Sequence, residues 1–536
     1  MNSQNSNHSN FNGNTLLIVF MKISLTLLLF MISFNVSAQS FGPDRIVSSD
    51  TTYDVNKSFI SVAFNGWIYV AFNYNEIGTG FTGRVIKVSK DNGISWQTLL
   101  DVQTNPQNIV PFISMVVAGT DTTNLRIFTT ATSHYNQYLS GFASVYDGLT
   151  GASITPYITL ADGNTFGVTD MAICSDWKHI NANSNPYSVA VVYSQYDPSG
   201  SDSVLVIYSN DGGANFSNPI FVTTSQEISN VDIAYGSFNS PIEARYSVVW
   251  EEKGHIGLSK SDIGNPLAYS SSTLMDTLYP NLSGLLHNPV ISMQSSYFSN
   301  SSNDYSTVVL AERYDSSTSS NDIIGFYNHD TQNGSFGYAA VLDSASDNTI
   351  QPSVCYDEVN ENFIATWYNQ TTRELPCLYL DKNFPGSWIS LTSNYADTSK
   401  FDSPFPVICV NDLWNEINVC WIQESDTADL FNSRGILKYD VTALPLIIPS
   451  LQSSDKFKVG SSVTSSSFSV SIGKELLQSS AIFEIFNSLS KRIYSEKIYF
   501  SNEDFNKTYN LGLARGVYFL RLNDGKKMFS RKIIIQ

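Results

Sequence analysis

Short hydrophobic runs recur along the chain in pairs, and each pair is joined by a polar segment. Residues 406–422 (PVICVNDLWNEINVCWI) show the unit most plainly, because two apolar runs flank a polar turn and the second run ends on an aromatic residue. Short runs rich in β-branched and aromatic residues, bounded by Asn, Asp and Gly, are typical of antiparallel strands. Helical periodicity longer than about two turns occurs only in the leader. The pattern therefore predicts an all-β protein.

Seven copies of this unit follow one another at intervals of roughly 50 to 60 residues. Their first runs begin near Phe59, Phe112, Thr169, Asn230, Pro289, Pro352 and Pro406. A second run follows each of them, and a third is often visible, as at residues 84–89 and 204–209. A single blade cannot bury both of its faces, so repeats of this kind stack around an axis. We expect a β-propeller of about seven four-stranded blades over residues 39–442, with six or eight left open because the second unit is degenerate.

Two polar turns share one pattern, S-x-D-x-G-x-x-aromatic, at residues 89–96 (SKDNGISW) and 209–216 (SNDGGANF). Its positions are Ser89, Asp91, Gly93 and Trp96 in the first turn and Ser209, Asp211, Gly213 and Phe216 in the second. An Asp side chain can accept hydrogen bonds from the amides of its own turn, and Gly permits positive φ. The pattern resembles the Asp-box, or BNR repeat, of sialidase-like propellers. The resemblance implies a structural turn between the third and fourth strands of a blade, away from the propeller mouth; residues 330–336 and 381–388 are weaker echoes.

The catalytic residues of a sialidase are not evident in the sequence. The resemblance calls for an early F-R-I-P segment, which supplies the first of three carboxylate-binding arginines, and residues 41–47 (FGPDRIV) lack it. Arg245 and Arg313, with Glu251 and Glu312, lie beside second runs. They either line a mouth or are solvated charges at strand ends, and we expect the latter. The catalytic residues therefore stay unknown.

Other chemistry is equally sparse. The mature chain has isolated His residues, no H-E-x-x-H pair, no G-x-S-x-G elbow and no phosphate-binding Gly-rich loop. The Asp-rich turns lack the acidic residue that closes an EF-hand loop. We therefore expect no metal site and no cofactor.

Charge is divided unevenly along the chain. Residues 1–454 carry 17 Lys and Arg against 41 Asp and Glu, a difference of −24, whereas residues 455–536 carry 13 against 7, a difference of +6. The acidic part would repel anionic sugars and nucleic acids at long range, and nucleic acid is not an expected partner. The five cysteines are too few and too scattered for a disulfide framework. Cys409 and Cys420 can face each other across one hairpin; otherwise all five are small buried residues.

Residues 1–38 have the pattern of a leader. Lys22 follows Met21, residues 23–34 are apolar, and Val36-Ser37-Ala38 is a small-residue cleavage site. This predicts a secretory signal cleaved before Gln39, with Met21 as an alternative start. The apolar run is shorter than the roughly 20 residues that cross a bilayer, so no transmembrane anchor is expected.

The pattern changes after residue 442. Residues 443–454 (ALPLIIPSLQSS) form a connector, and residues 455–536 contain five strand-like runs at residues 468–472, 481–486, 492–499, 517–522 and 527–535. A tight turn is predicted at residues 523–526 (NDGK). We expect a small Ig-like antiparallel β-sandwich here.

The end of the chain contains the segment LARGVYFLRL at residues 513–522 and a basic, apolar terminus. Its marker residues are Leu513, Gly516, Val517, Tyr518 and Lys532. The segment resembles the type A C-terminal sorting domain of the type IX secretion system, although the usual P-N-P entry is absent and Ser490 replaces a Gly. The resemblance implies that the secretion machinery is a partner. It also implies passage through the periplasm and across the outer membrane, followed by removal of the tail with release or surface attachment.

These patterns predict a secreted or cell-surface propeller that acts as a non-catalytic glycan- or protein-binding module. A divergent sialidase-like glycoside hydrolase or lyase acting on extracellular polysaccharide is the alternative, and a structural surface-layer role is a third. Two carboxylates about 5 to 10 Å apart in the mouth would favour the hydrolase. A mouth of Ser, Asn and aromatic residues would favour binding.

Overall fold

The structure is a computed structural model. It describes residues 44–48, 53–104, 110–119, 122–133, 138–175, 188–238, 240–276, 284–296, 306–328, 338–343, 348–358, 362–381, 388–390, 404–411, 416–424, 435–443, 457–460, 467–472, 480–487, 492–499, 505–511, 516–523 and 528–535. These residues form β-strands and no α-helix, as the sequence predicts. The described residues include no helix that is long and apolar enough to span a bilayer.

Seven sheets follow one another along the chain, and we call them blades. Blade 1 contains β2 (Tyr53–Val62), β3 (Ile68–Glu76), β4 (Thr82–Ser89) and β5 (Gln97–Thr104), and blade 2 contains β6 (Phe112–Ala118), β7 (Arg126–Ser133), β8 (Ser140–Asp147) and β9 (Ser153–Ala161). Blade 3 contains β10 (Gly167–Ser175), β11 (Val189–Tyr196), β12 (Asp202–Ser209) and β13 (Ile220–Ser225). Blade 4 contains β14 (Ile228–Phe238), β15 (Ser240–Glu252), β16 (His255–Asp262), β17 (Asn265–Tyr269) and β18 (Thr273–Leu274).

Blades 5 to 7 complete the set. Blade 5 contains β19 (Leu285–Met293), β21 (Thr307–Asp315), β22 (Ser320–Asn328) and β23 (Tyr338–Asp343). Blade 6 contains β24 (Thr349–Asp357), β25 (Asn362–Asn369), β26 (Cys377–Asp381) and β27 (Trp388–Ser390). Blade 7 contains β28 (Val407–Asn411), β29 (Glu416–Glu424), β30 (Gly435–Ala443) and β1 (Arg45–Ile46). The short strand β20 (Ser295–Ser296) pairs in parallel with β14 of blade 4.

The first strands of the seven blades form a closed ring. Strands β2, β6, β10, β14, β19, β24 and β28 contact one another in that order, and β28 contacts β2. These strands contain the seven first runs of the sequence pattern, and the second runs lie in the strands beside them. The described chain is therefore a seven-bladed β-propeller, and the predicted number of blades is confirmed.

Each interface between neighbouring blades holds its own hydrophobic cluster. Trp250, Trp367 and Trp421 occupy one repeat position, and each is fully buried in such a cluster. Burial of one large apolar side chain contributes about 1.5–3 kcal/mol. The sequence-based expectation that these tryptophans pack in the core, rather than bind sugar, agrees with these positions.

The N-terminal segment supplies the outermost strand of blade 7. Arg45 pairs with Tyr439 and Ile46 with Lys438, so that β1 adds to the edge of β30. The amide of Val47 then donates to the carbonyl of Leu437 at 2.9 Å, and Lys87 Nζ of blade 1 donates to the carbonyl of Val47 at 2.8 Å. The first and last strands of the propeller in chain order thus lie side by side in blade 7, and the tail is not needed to complete this blade.

Residues 457–535 of the described chain form a small antiparallel β-sandwich. One sheet contains β31 (Phe457–Gly460), β32 (Ser467–Ile472) and β35 (Phe505–Asn510); the other contains β34 (Arg492–Tyr499), β33 (Ser480–Asn487), β36 (Gly516–Asn523) and β37 (Met528–Ile535). Phe468 and Val470 of the first sheet share a core with Phe483, Ile485 and Leu520 of the second. The five predicted strands are present, and β31 and β35 were not predicted. Of the predicted turn at residues 523–526, only Asn523, the last residue of β36, is among the described residues.

The five cysteines, all of them among the described residues, form no disulfide. Cys409 lies opposite Asn418 and Cys420 opposite Val407, so the two cysteines are not direct cross-strand neighbours. Cys377 and Cys420 are buried. The arrangement corresponds to small residues that pack within the blades.

We expect the closure of blade 7 to depend on Val47, whose side chain is 1% exposed, rather than on Ile46, which is 54% exposed. Val47→Asn places an amide in the apolar cluster between blades 7 and 1 and should lower the free energy of unfolding by about 2–4 kcal/mol. Ile46→Asn should change it by less than about 0.5 kcal/mol. Urea unfolding of the mature chain measures both. Equal stability of the two variants would contradict a closing role for this segment.

Candidate functional site

The two similar polar turns have the same internal hydrogen bonds. In the first, Ser89 Oγ donates to Asp91 Oδ1 at 2.9 Å, and the amide of Ser95 donates to the same oxygen at 2.8 Å. The amide of Gly93 donates to Ser89 Oγ at 2.7 Å. Partial burial opposes ionisation of Asp91, but the hydrogen bonds from Ser95 and Ser89 prevail and lower the pKa of its carboxyl. The side chains of this turn are thus used to hold its own backbone.

The second turn repeats this geometry. Ser209 Oγ donates to Asp211 Oδ1 at 2.8 Å, the amide of Asn215 donates to that oxygen at 2.9 Å, and the amide of Gly213 donates to Ser209 Oγ at 2.9 Å. Both turns connect the third strand of a blade to its fourth strand. The weaker echo at residues 330–336 lies outside the described residues, and of the echo at residues 381–388 only Asp381 and Trp388 are described, at the ends of β26 and β27.

Each turn packs against the preceding blade. The φ of Gly93 is +77°, and a β-carbon there would lie 2.0 Å from a ring carbon of Tyr439 in blade 7. The equivalent atom at Gly213 would lie 2.4 Å from the ring of Phe128 in blade 2. Trp96 contacts Tyr439 edge to face, with ring centroids 5.3 Å apart, and Phe216 packs between blades 2 and 3. The Gly and aromatic positions of the two turns therefore pack against the preceding blade, and the Ser and Asp positions hold the turn itself.

The residues of the predicted sorting signal lie on the last two strands. Gly516, Val517 and Tyr518 begin β36, and Lys532 lies on β37 opposite Phe519. The Tyr518 side chain is buried. Leu513 lies outside the described residues.

The opposite end of the propeller has a different repeated feature. In each of blades 1 to 6 the first strand gains one residue relative to the second, close to the start of the first strand. We call this end of the propeller the bulge end. Asn230, Asn288 and Gln351 of these bulges have φ values of 44°, 49° and 58°. Bulges redirect side chains and are frequent beside functional sites, so the bulge end is the candidate site.

Two glutamates connect blades 4 to 6 at the bulge end. Glu251 of β15 lies 2.8 Å from His287 Nδ1 and accepts from the amide of Asn288 at 3.2 Å. Glu312 of β21 accepts from Asn288 Nδ2 and from the amide of Gln351, each at 2.8 Å. Burial raises the pKa of the Glu312 carboxyl. These glutamates are interblade acceptors, and the expectation that they are solvated charges at strand ends was wrong.

Of the two arginines on the same strands, Arg245 is buried and Arg313 is half-buried. Arg245 Nε donates to the carbonyl of Ser261 at 3.0 Å. Arg313 forms an ion pair with Asp322 at 2.5 Å. Both guanidinium groups hold strands within one blade, so they do not form an arginine clamp with each other.

Two aspartates on adjacent first strands join blades 3, 4 and 5. Asp170 Oδ2 accepts from the amide of Val231 at 3.0 Å, and Asp232 Oδ2 accepts from the amide of Ile291 at 2.9 Å. Desolvation raises the pKa of both carboxyls, that of Asp232 to about 7, and the charge of Lys57 partly offsets the effect at Asp170. This pair is a titratable link between blades.

A pocket of about 380 Å³ lies at the bulge end between blades 1 and 2. It is lined by Asn56, Lys57, Asn73, Tyr74, Asn75, Thr82, Gly83, Arg84, Val102, Thr104, Val110, Pro111, Phe112 and Ile113. Amides, hydroxyls, aromatic rings and two cations line it, and no carboxylate of the described residues does. Sequence reasoning missed this site because its residues come from five strands and a connector, and the bulges of β2 and β6 are not visible as a motif.

Metal ligands do not cluster in the described part of the chain, where no three His, Cys, Asp or Glu side chains come together.

Gly93→Ala should destabilise the protein more than Gly78→Ala. Gly78 has a φ of +89° and no atom within 4 Å of its β-carbon position, whereas Gly93 meets the Tyr439 ring. Both variants bear the backbone strain of positive φ, about 1 kcal/mol or more. Gly93→Ala should lose about 1–3 kcal/mol in addition because of the clash. Melting temperatures of the two variants measure the difference, and identical values would refute the proposed packing of the turn.

The Asp232 link should make stability depend on pH. Because its pKa is higher in the folded state than the ordinary value of 3.8, the protonated form stabilises the fold, and this stabilisation is lost as the pH rises through about 7. Asp232→Asn should therefore flatten the decline of the melting temperature between pH 5 and 8. Asp197→Asn is the control, since hydrogen bonds from Ser199 lower the pKa of this exposed carboxyl below that window. A slope unchanged by Asp232→Asn would contradict this role.

Comparison with known proteins identifies one part of the chain. Residues 464–536 match the family model described as secretion system C-terminal sorting domain. Among curated proteins, no sequence matches.

Solved structures that align with this chain include a protein of unknown function from Dyadobacter fermentans. The alignment has 10% identity and a TM-score of 0.43, and it covers 76% of this chain and 100% of that one. They also include the Hadza microbial sialidase Hz136, with 10% identity and a TM-score of 0.36 over 59% of this chain and 63% of that one. A third is an α-L-arabinanase of Penicillium chrysogenum, with 11% identity and a TM-score of 0.40 over 75% and 96%. All three TM-scores are below 0.5. The chain carries a secretion system C-terminal sorting domain at residues 464–536, behind a seven-bladed β-propeller.

Proposed function

We propose that the propeller is a non-catalytic binding module for an extracellular glycan or protein, and that its ligand occupies the pocket between blades 1 and 2. The sorting domain indicates export to the cell surface or secretion, with the secretion machinery as a partner. The observation that supports binding is the lining of the pocket, in which amides, hydroxyls and aromatic rings surround about 380 Å³ without a carboxylate among the described residues. Polar groups placed around an apolar floor are typical of ligand sites.

The carboxylates at the bulge end support the same proposal. A glycosidase needs one carboxyl that can donate a proton to the leaving oxygen and a second that acts as nucleophile or base. Glu251 and Glu312 instead accept hydrogen bonds from the first strands of their own and the following blade. Groups engaged in this way hold blades together and are poorly placed to exchange protons with a substrate.

The divergent hydrolase or lyase remains a second candidate because of one observation. Glu251 and Glu312 both bind Asn288, so the two carboxyls lie near each other at the bulge end. Burial raises the pKa of Glu312, which is the change that a general acid requires. If this pair is catalytic, Glu312 is the acid and Glu251 the nucleophile or base.

We further propose how the exported chain is divided and processed. The leader of residues 1–38 would be removed before Gln39, the propeller would comprise residues 39–442, and the connector of residues 443–454 would precede a sorting domain of residues 455–536. The residues proposed to carry the sorting signal are Leu513, Gly516, Val517, Tyr518 and Lys532. Ser89, Asp91, Gly93 and Trp96, with their counterparts in blade 3, are proposed to be Asp-boxes of structural importance.

A glycan array and a protein pull-down with the mature chain test the binding function. We expect retention of a ligand without release of reducing ends. Asn75→Trp should abolish retention, because Asn75 is exposed and lines the pocket. Gln97→Trp, at the other end of the same blade, should leave it unchanged.

Release of reducing ends that is lost in a folded Glu312→Gln variant would replace this proposal with the hydrolase. Retention that survives Asn75→Trp would place the ligand elsewhere on the molecule.

A further inference from the structure

We propose that the pocket between blades 1 and 2 binds an acidic sugar, a uronate, and that the guanidinium of Arg84 receives its carboxylate. This inference rests on the binding function proposed above and names the chemical class of its ligand. The juxtaposition that carries it is a buried cation without a counter-charge among the described residues, placed in the wall of a pocket that polar and apolar groups line.

Arg84 lies on β4 and is 4% exposed. Its Nη1 reaches the carbonyl of Val110 only at 3.4 Å, and its guanidinium carbon lies 4.9 Å from the centre of the Phe112 ring. Its Nε is buried and has no hydrogen-bond partner in the described chain. No carboxylate of the described residues lies within ion-pair distance of it. Within the described chain the guanidinium therefore has one long hydrogen bond and one ring contact, and no counter-charge.

Two other arginines of the propeller, Arg126 and Arg313, have carboxylate partners. Arg126 contacts Asp147 at 3.4 Å, and Arg313 contacts Asp322. Removing a charge from water without a partner is expensive, and the usual solution is a paired carboxylate. In a chain in which acidic residues outnumber basic ones by 48 to 30, a carboxylate partner for Arg84 would be easy to supply. Its absence from the described surroundings therefore points to a partner that arrives with the ligand.

The remaining lining fits a sugar that carries this carboxylate. A guanidinium binds a carboxylate through two parallel hydrogen bonds. Lys57 adds a second positive charge to the pocket wall. Asn56 and Asn75 are exposed amides, and Thr82 and Thr104 bring hydroxyls 3.1 Å apart. These groups can donate to and accept from the hydroxyls of a pyranose ring, which a simple inorganic anion would not use.

The position of Arg84 also fits a site held ready before binding. Phe112 stacks near the guanidinium and is itself fixed by Asn73, whose Nδ2 donates to the Phe112 carbonyl and whose Oδ1 accepts from the Phe112 amide, each at 2.8 Å. Asn73 and Arg84 lie opposite each other in the register of β3 and β4. Little side-chain freedom would then be lost on binding.

Isothermal titration calorimetry of the full mature chain tests the inference. The probes are digalacturonate and a glucuronate-containing disaccharide, each beside its methyl ester, which keeps the shape of the sugar and removes the charge. We expect at least one acid to bind at least tenfold more tightly than its ester, with affinity falling as salt rises. Arg84→Met should weaken binding of the acid at least tenfold and leave the ester unaffected.

Arg126→Met is the matched control, since Arg126 lies on the second strand of blade 2, away from the bulge end, and should leave affinity unchanged. The melting temperature separates a ligand-binding arginine from a structural one. Arg84→Met removes an unpaired buried charge and should keep or raise the melting temperature of the free protein. If Arg84→Met does not fold, Asn75→Trp, which narrows the pocket without altering Arg84, takes its place and should abolish binding of the acid.

Equal binding of acid and ester, or binding indifferent to both Arg84→Met and Asn75→Trp, would overturn the inference. Binding of neutral glycans or of a protein in this pocket, without preference for uronates, would also overturn it while leaving the proposed function intact. A chain that binds neither glycan nor protein would remove both proposals.

Discussion

The propeller depends on burial between successive blades, because no blade can cover its own two faces. Each of the seven interfaces contains a hydrophobic cluster, and an open ring would leave two of these faces in water. The cluster between blades 7 and 1 is therefore the one on which the others rely. Strand β1, the turn at residues 89–96 and Tyr439 meet there, and Arg45 Nη1 donates to the carbonyl of Asn92 at 2.5 Å.

The two ends of the propeller join their blades by different means. At the end of the polar turns, Gly93 and Gly213 bring the backbone against an aromatic ring of the preceding blade. At the bulge end, carboxylates accept hydrogen bonds from the next first strand, as Asp170, Asp232 and Glu312 do. Apolar contact at one end is insensitive to pH, whereas the polar links at the other include groups whose raised pKa makes them titratable. A response to acidity should therefore begin at the bulge end, beside the candidate site.

The sequence was informative where one period repeats seven times. Alternating runs located the first and second strands of every blade, since the same burial constraint acts on each copy. Strand β1 escaped this reading because Arg45 and Ile46 are only two residues without alternation, and their partner lies almost 400 positions away. In the tail, β35 (FNKTYN) was missed because its outward-facing residues are polar and only Tyr509 is deeply buried.

The candidate site was less predictable for a related reason. Arg84 lies in a third run and reads as an ordinary charged residue at a strand start. In the folded chain its neighbours are Val110 and Phe112, from the connector and first strand of the next blade, and neither residue supplies a carboxylate. Glu312 was misread in the same way, since its partners Asn288 and Gln351 lie 24 and 39 residues away. Burial of a charge is a property of the assembled ring, so strand periodicity alone does not reveal it.

The charges at the bulge end separate structural groups from those available to a ligand. Glu251, Glu312 and Asp232 each accept hydrogen bonds from the blade that follows, so their polar atoms are used by the fold. Arg84 is the contrary case, since it is as deeply buried as Glu312 but forms, among the described residues, only one long hydrogen bond and one ring contact. Buried polar groups whose desolvation is not offset within a protein are concentrated at functional sites, where a ligand completes them. On this criterion the glutamates and aspartates between blades 4 and 5 are structural groups, and the interface between blades 1 and 2 is where we propose that a ligand binds.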